Sequence, residues 1–558
     1  MKRLQNVVVL LFITAFSLVL SLYHLGSLRV PETYWEPKEP GETLIFDLGA
    51  AYPVGRISCF TGVMHNMVLK IDYSEDGSTW QQGPTLKPAW VFRWEYVDGT
   101  WQGRYFRVTF EKPGMLAEMA FFAEGNTVPL SIASVESFSA SSGYEKLFDE
   151  QDKVSFERSY LNGTYFDEIY HARTAFEHLH RLPPYEWTHP PLGKVIIALG
   201  IALFGMNPFG WRIMGVVFGV LLLPLMFALG RLFLEDRYAL FVTALFAFEF
   251  MRFVQARIAT IDTYVVFFIL LSSYFLFRYL LYAQEDRRGL LYLFLSGLFF
   301  GCGAATKWTA VYAGAGMAVL FLTHHFLRWK KDPTHLRHFE RWVLPWSVFF
   351  FLVVPFVVYF LSYIPYLLVP GYGLSNVFRY QLAMYHYHRD LKATHPFSSP
   401  WWEWPVVARP IWLYKGDGLP SGYVSSIVSM GNPAIWWLGG ITVLFSLFTP
   451  SFWRVKGVPW LLVGFFSQYV PWMLVPRITF IYHYYGCVPF LILLLGVFFA
   501  WVERDNSSLR VWRWIFLLVA MGFFVLFYPI LSGETVSKAY VARFLRWFPS
   551  WTFFAGGE

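Results

Sequence analysis

The chain has 558 residues, 56% of them hydrophobic and 15% charged, whereas soluble domains run at ~45–50% and ~25%. A water-soluble globule is excluded, and the 21% aromatic content with a mean hydropathy of +0.41 fits a chain solvated by lipid and its interface. The formal charge of +7 falls largely in short loops between apolar runs, so topology accounts for it without a nucleic-acid partner.

Three cysteines, Cys59, Cys302 and Cys487, are too few for a disulfide framework or a cysteine metal site. Lys2 and Arg3 precede an apolar run over residues 7–23 with no small-x-small cleavage site close behind. This predicts an uncleaved first transmembrane helix within residues 1–26, its start held in the cytoplasm.

Residues 27–130 change character: TLIFDLG, MVLKIDYS and RYFRVTF alternate with period two between Gly and Pro turns. They predict an extracytoplasmic β-sandwich domain that folds on its own outside the membrane. FDLGAAYPVGRIS, YSEDGSTW and RYFRVTFEKPGMLAEMAFF resemble discoidin or carbohydrate-binding jelly-roll modules. That resemblance implies a module that holds sugar or peptide; a spacer is the alternative.

Residues 131–208 form an extracytoplasmic loop with juxtamembrane helices. A multi-span membrane domain over 209–558 follows, with an outer loop at about 365–432. Apolar runs lie near 209–233, 237–256, 262–282, 289–305, 308–326, 343–364, 434–449, 458–475, 480–502 and 514–531, each near the length that crosses ~30 Å of hydrocarbon. With the first run they make about eleven transmembrane helices. Basic residues recur on alternate loops (Glu285 to Arg288, Arg328 to Arg341, Arg454 to Lys456, Arg504 to Arg513), which places the N-terminus inside and the C-terminus outside.

Chemistry concentrates before the second span. Asp167 and Glu168 open a stretch of helical periodicity, with His171 one turn on, and WTHPPLGK then brings His189 and Lys194 towards the same interface. An acidic pair at a helix start also suits dipole compensation, so the pair alone leaves both readings open. Charged residues near span ends add Arg212, Arg252, Arg257, Asp262 and Lys307, each a functional candidate because charge is costly in lipid. Gathered at one face, the cations suit an anionic phosphate head group; interface anchoring by snorkelling is the alternative.

The outer loop carries His386, His388, His395 and Arg409 with Trp401, Trp402 and Trp404. Zinc binding by the histidines lacks the helical HxxxH spacing, and the tryptophans suit an interfacial belt or sugar stacking.

Taken as a set, TYFDEIYHARTA, THPPLGK, FGWRIMG, VQARIATIDTYVVFF, TKWTAVYA and YHYHRDLKATHPFSSPWWEWP resemble the bacterial protein O-mannosyltransferases of glycosyltransferase family 39, which have the GT-C membrane fold. The resemblance runs from about residue 165 to 498. It implies an inverting glycosyltransferase of the plasma membrane that passes mannose from a polyprenyl-phosphate donor to Ser or Thr of secreted proteins. It makes Asp167 the catalytic base, Glu168 a neighbour that places the acceptor, and Arg212 the holder of the lipid phosphate; apart from the resemblance, the cations Arg257, Lys307 and Arg409 stand as further phosphate candidates. No cofactor is called for, a divalent metal being left open, and a dimer or an association with the secretion machinery is compatible with it. The family's eukaryotic members carry a β-trefoil that this chain lacks, and the inserted β domain is outside the usual pattern. Transfer of another lipid-linked sugar to a glycolipid or cell-wall polymer is the alternative within the fold. A lipid-linked sugar transporter is the alternative outside it.

Overall fold

The computed structural model describes residues 2–282 and 287–554; Glu285 and Asp286 of the first basic loop lie outside them. Helix α1 (Lys2–Leu22) is an unbroken apolar run, and 21 residues at 1.5 Å each give about 30 Å, one bilayer core. After it come six strands, β1 (Thr43–Thr61), β2 (Val68–Ser74), β3 (Gln81–Leu86), β4 (Trp94–Lys112), β5 (Leu116–Ala123) and β6 (Ser134–Ser137). They form one antiparallel sheet in the order β3-β2-β4-β1-β5, with β6 also on β1.

Strands β1 and β4 are each 19 residues long, and their ladder shifts register between Asp47 and Tyr52 and between Val54 and Arg56. Extra residues at such bulges bend a strand. The first half of β1 pairs with β6, the second half with β5, and Phe121 of β5 packs on Phe46 and Phe106 with ring centroids 5.4 and 5.0 Å apart. Two faces thus close on one core through bent strands. Six strands are fewer than the eight of a jelly roll, and β6 carries the sheet past residue 130 to Ser137.

The β core is not sealed off. Leu44, Phe92 and Phe121 share one buried cluster with Ala172 and Phe176 of α2 (Glu168–Leu179), Ile197 and Ile201 of α3 (Leu192–Phe204), and Trp211 of α4 (Pro208–Gly230). Next come α5 (Asp236–Ala247), α6 (Phe250–Ala256), α7 (Asp262–Tyr282), α8 (Arg287–Thr306) and α9 (Ala310–Lys331).

Each of the eleven expected spans coincides with helix, but their lengths differ. Among the described residues seven helices are long and apolar enough to cross a membrane, or eight if α5 and α6, bent by 59°, are one broken span. Pro433–Phe448 and Val458–Leu474 are apolar but shorter, as is α3, which lies outside the eleven expected runs. The run from 480 starts as a tight turn, and helix begins only at Val488. The segment 365–432, expected as an outer loop, contains a helix, Leu374–Asp390, and a hairpin, β7 (Ile411–Lys415) with β8 (Tyr423–Ser429). Near the C-terminal end β9 (Thr535–Ser537) adds to β8.

Candidate active site

Asp167 and Glu168 are adjacent in sequence and opposite in circumstance. Phe166 just before them holds φ at +48°, a left-handed conformation that costs a bulky residue about 1–3 kcal/mol. From that turn α2 starts, and the Asp167 carbonyl accepts from the N–H of Tyr170 and of His171, each at 3.0 Å. Glu168 is fully buried. It receives two parallel bonds from Arg212, 2.6 and 2.7 Å, and the backbone N–H groups of Ala259 and Tyr165 at 3.1 and 3.2 Å.

Arg212 spends its remaining donors on the carbonyls of Leu25, Tyr160 and Gly163, at 2.8, 2.7 and 3.0 Å. Every N–H of its fork is therefore occupied, and its side chain has no exposed surface. The expectation that Arg212 grips a lipid phosphate is corrected on that ground: it locks α4 to the end of α1, the turn before α2, and Glu168. Glu168 is likewise withdrawn from placing an acceptor, because its oxygens are consumed by this knot.

Asp167 instead lines a cavity of about 690 Å³ with His189, Asp262, Lys307, His388 and Arg477. Its side chain makes no cap bond to α2, so dipole compensation by capping does not explain it. Burial pushes its carboxyl up to about 7, the negative charge of Asp262 adding to this and Lys307 opposing it.

Around the rim runs the WTHPPLGK turn. Buried Glu186 accepts from the Thr188 N–H at 2.8 Å, contacts His189 Nδ1 at 3.0 Å and pairs with Lys194. Against burial, which raises it, the Lys194 ammonium holds the Glu186 carboxyl well below the usual carboxylate range. Lys194 also donates to the His189 carbonyl at 2.8 Å, so it staples this turn and does not face a substrate. Burial lowers both His171, to about 3, and His189, which keeps the two imidazoles neutral. His388 donates from Nε2 to the Thr188 carbonyl at 2.7 Å, tying the outer-loop helix to the same rim.

Two cations remain in the cavity. Lys307 pairs with Asp262 at 2.8 Å. Arg477 has no hydrogen bond or ion pair among the described residues. A second cavity of about 210 Å³ shares Lys307, Arg477, His189 and His388 with the first and continues along Trp308, Tyr312, Trp472 and Leu474.

The other expected phosphate holders do not reach either cavity. Arg257 is buried and donates to the carbonyls of Tyr23 and His24 at 2.7 and 2.9 Å. Arg409 donates to the Ser398 carbonyl at 2.9 Å and lies 3.9 Å from Glu403. Arg252 closes the bend between α5 and α6 through the carbonyls of Phe246 and Ala247, each at 2.7 Å. The outer-loop histidines diverge: exposed His386 sits against Arg389, His388 on Thr188, and His395 Nδ1 accepts from Phe397 N–H. Trp401 packs on Tyr469, and Trp402 is 60% exposed; neither lines the cavity.

Glu186, Arg477, Tyr170 and Tyr482 line the cavity without having been singled out from sequence. Arg477 follows the apolar run that ends at Val475, so the same rule that flags charges at span ends applies to it.

Comparison with known proteins adds the family. Residues 202–367 match the model described as dolichyl-phosphate-mannose-protein mannosyltransferase, and residues 374–551 the C-terminal four-span region of protein-O-mannosyltransferase. The chain is 26% identical over 461 residues to polyprenol-phosphate-mannose--protein mannosyltransferase of Mycolicibacterium smegmatis, covering 69% of this chain and 87% of that protein. It is 27% identical over 462 residues to the Mycobacterium tuberculosis protein of the same name, covering 69% and 86%. Among solved structures, a chain of the Saccharomyces cerevisiae protein O-mannosyltransferase Pmt1–Pmt2 complex bound to the sugar donor superposes with a TM-score of 0.61 at 14% identity, covering 69% of this chain and 89% of that one. The likeness in fold is to a GT-C enzyme, and the two family models together take in more than half of the sequence: the chain belongs to the protein O-mannosyltransferase family.

Proposed function

We propose that this protein transfers mannose from a polyprenyl-phosphate donor to Ser or Thr hydroxyls of secreted proteins, at the outer face of the plasma membrane and with inversion. One observation carries the reading: an uncommitted carboxylate, Asp167, and an uncommitted guanidinium, Arg477, share a cavity that continues into an aromatic and apolar one. The acceptor oxygen attacks the anomeric carbon, the bond from that carbon to the phosphate oxygen breaks, and Asp167 takes the hydroxyl proton. Arg477 and Lys307 neutralise the departing phosphate where its charge develops, and Trp308, Tyr312 and Trp472 line the path of the polyprenyl chain. One free carboxylate suits a single displacement, which inverts the sugar carbon without a glycosyl-enzyme intermediate.

The basic loops support an inside N-terminus, which puts α2 and this cavity outside. The test is transfer from polyprenyl-phosphate-mannose to a Ser/Thr peptide by the purified protein in nanodiscs. Wild type is expected to yield mannosyl peptide, and Asp167→Asn to lose about 10²- to 10⁴-fold in kcat while staying folded. Near wild-type turnover by that variant would overturn the assignment of the base.

A further inference from the structure

A third cavity, about 670 Å³, lies where the β domain meets α2. It meets the catalytic cavity through His65, Tyr170 and Tyr185, whereas the aromatic cavity meets the catalytic one through Thr188, His189, Lys307, His388 and Arg477. The two junctions have no residue in common, so the reaction chamber has two separate approaches.

The β-side approach is chemically distinct from the lipid-like one. Its floor is Met64, Met67 and Val91, all buried. Its rim holds Lys112, the last residue of β4, and Lys87, just past β3, both exposed and neither in an ion pair among the described residues. Arg173 lies over the Tyr185 ring at 3.9 Å and donates to His65 Nε2 at 2.8 Å. Among the described residues Arg173 pairs with one carboxylate, Glu177, at 2.8 Å, and Glu177 also accepts from the Tyr185 N–H at 2.6 Å and the Thr174 hydroxyl at 3.0 Å. No acidic side chain among the described residues lines the cavity. At its junction with the catalytic cavity Tyr170 and Tyr185 stand parallel, 6.1 Å between ring centroids and 2° between planes, and both are exposed.

We propose that this cavity is the acceptor's approach and that it selects an extended polypeptide carrying acidic residues beside the accepting Ser or Thr. The inference rests on the transfer reaction proposed above and names its acceptor class. An extended chain advances ~3.3–3.6 Å per residue, so a segment whose hydroxyl sits at Asp167 runs its flank past the tyrosine pair into the third cavity. Apolar flanking side chains meet the methionine floor, and Asp or Glu meets Lys87 and Lys112. Free cations that face solvent and lack carboxylates attract exactly one sign of partner over a Debye length.

Peptides that share one Ser/Thr core and differ only in acidic, neutral or basic flanks test this by KM and kcat. The acid-flanked peptide is expected to have the lowest KM, by up to about five-fold for each lysine engaged, with similar kcat and a preference that fades with added salt. The double reversal Lys87→Glu with Lys112→Glu, on exposed positions outside the reaction chamber, is expected to keep turnover of the neutral peptide and to favour the basic flank. Donor-free binding of a fluorescent acid-flanked peptide to wild type and to the double variant reads the same preference without catalysis. Absence of mannosyl transfer to every peptide would therefore sink the proposed reaction while the binding comparison still judges this cavity. Equal binding by the two proteins overturns the inference, as does a KM indifferent to flank charge. Retention instead on anionic phosphatidylglycerol vesicles, lost in the double variant, would overturn it in favour of a lipid surface.

Discussion

The contrast between Asp167 and Glu168 has measurable consequences. A carboxyl raised to about 7 is a base only when deprotonated, so kcat/KM is expected to rise tenfold per pH unit below 7 and to level off above it, a limb that Asp167→Asn removes. The sign for stability runs the other way. The folded-state value exceeds the ordinary one near 3.8, so ionising Asp167 in the fold costs stability that sets in above pH ~4 and is complete above pH ~7. Asp167→Asn is therefore expected to melt higher than wild type at pH 8 and no higher at pH 4; a lower melting temperature at pH 8 would contradict the burial account. Glu168→Gln should behave oppositely, because it leaves buried Arg212 uncompensated, a loss of about 3–5 kcal/mol read as lowered thermal stability at both pH values. For Arg477→Ala the expected change is a weaker donor, about tenfold in KM, with Arg477→Lys recovering only part since a point charge replaces a fork; unchanged donor kinetics would remove Arg477 from the phosphate. Patterning makes visible that Asp262 and Lys307 stand near span ends and that Asp167 opens a helical stretch ahead of the second span. It does not show which cations are already spent, because Arg212 and Arg252 are satisfied by carbonyls such as Leu25, Gly163 and Phe246 that only the tertiary fold brings near.

At the scale of elements, apolar runs of about 20 residues were legible as helices, since a backbone in lipid must satisfy its own hydrogen bonds. The bend between α5 and α6 was not: Phe248 and Glu249 interrupt the run without a proline or glycine, and Glu249 caps α6 by accepting the Arg252 N–H. The close crossing of α4 with α6 was not singled out either, although Gly215 and Gly219 form a small-xxx-small pair. A Cβ at Gly219 would lie 2.4 Å from Ala256 Cβ, and one at Gly215 2.7 Å from the Ala256 carbonyl oxygen. That contact seats the residues after α6, including Ala259, whose N–H reaches Glu168. Gly219→Leu is expected to cost about 1–3 kcal/mol by overpacking and to lower kcat as well, because the displaced loop loosens Glu168 and with it the start of α2. Wild-type melting and turnover in this variant would show that the crossing tolerates a side chain and does not position the pair.

For the whole molecule, the decisive question is whether the β domain is detachable. Its polar composition and alternation suggest an independent module that a short linker could replace. The structure argues against this at three places. Phe92 packs on Phe176 of α2 with ring centroids 5.2 Å apart, and one buried cluster runs from the β sheet through α2 and α3 to Trp211. The Phe92 carbonyl accepts from the Thr164 N–H at 3.1 Å, three residues before Asp167. Arg158 bridges Glu95 on β4, at 3.3 Å, to Asp417 beyond β7, at 2.8 Å. Removing the domain therefore strips one side of the helix that carries the candidate base, and a buried aromatic such as Phe176 alone loses about 1.5–3 kcal/mol of burial. A protein in which residues 30–137 are replaced by a flexible Gly/Ser linker is expected to melt well below wild type and to lose transfer even to a small, concentrated peptide. The double reversal at Lys87 and Lys112, which leaves this shared core intact, should keep that activity, so the two variants separate shaping of the site from recruitment of the acceptor. Wild-type turnover of small peptides by a stably inserted deletion protein would show that the shared core is dispensable and that the domain acts only by raising the local concentration of acceptor.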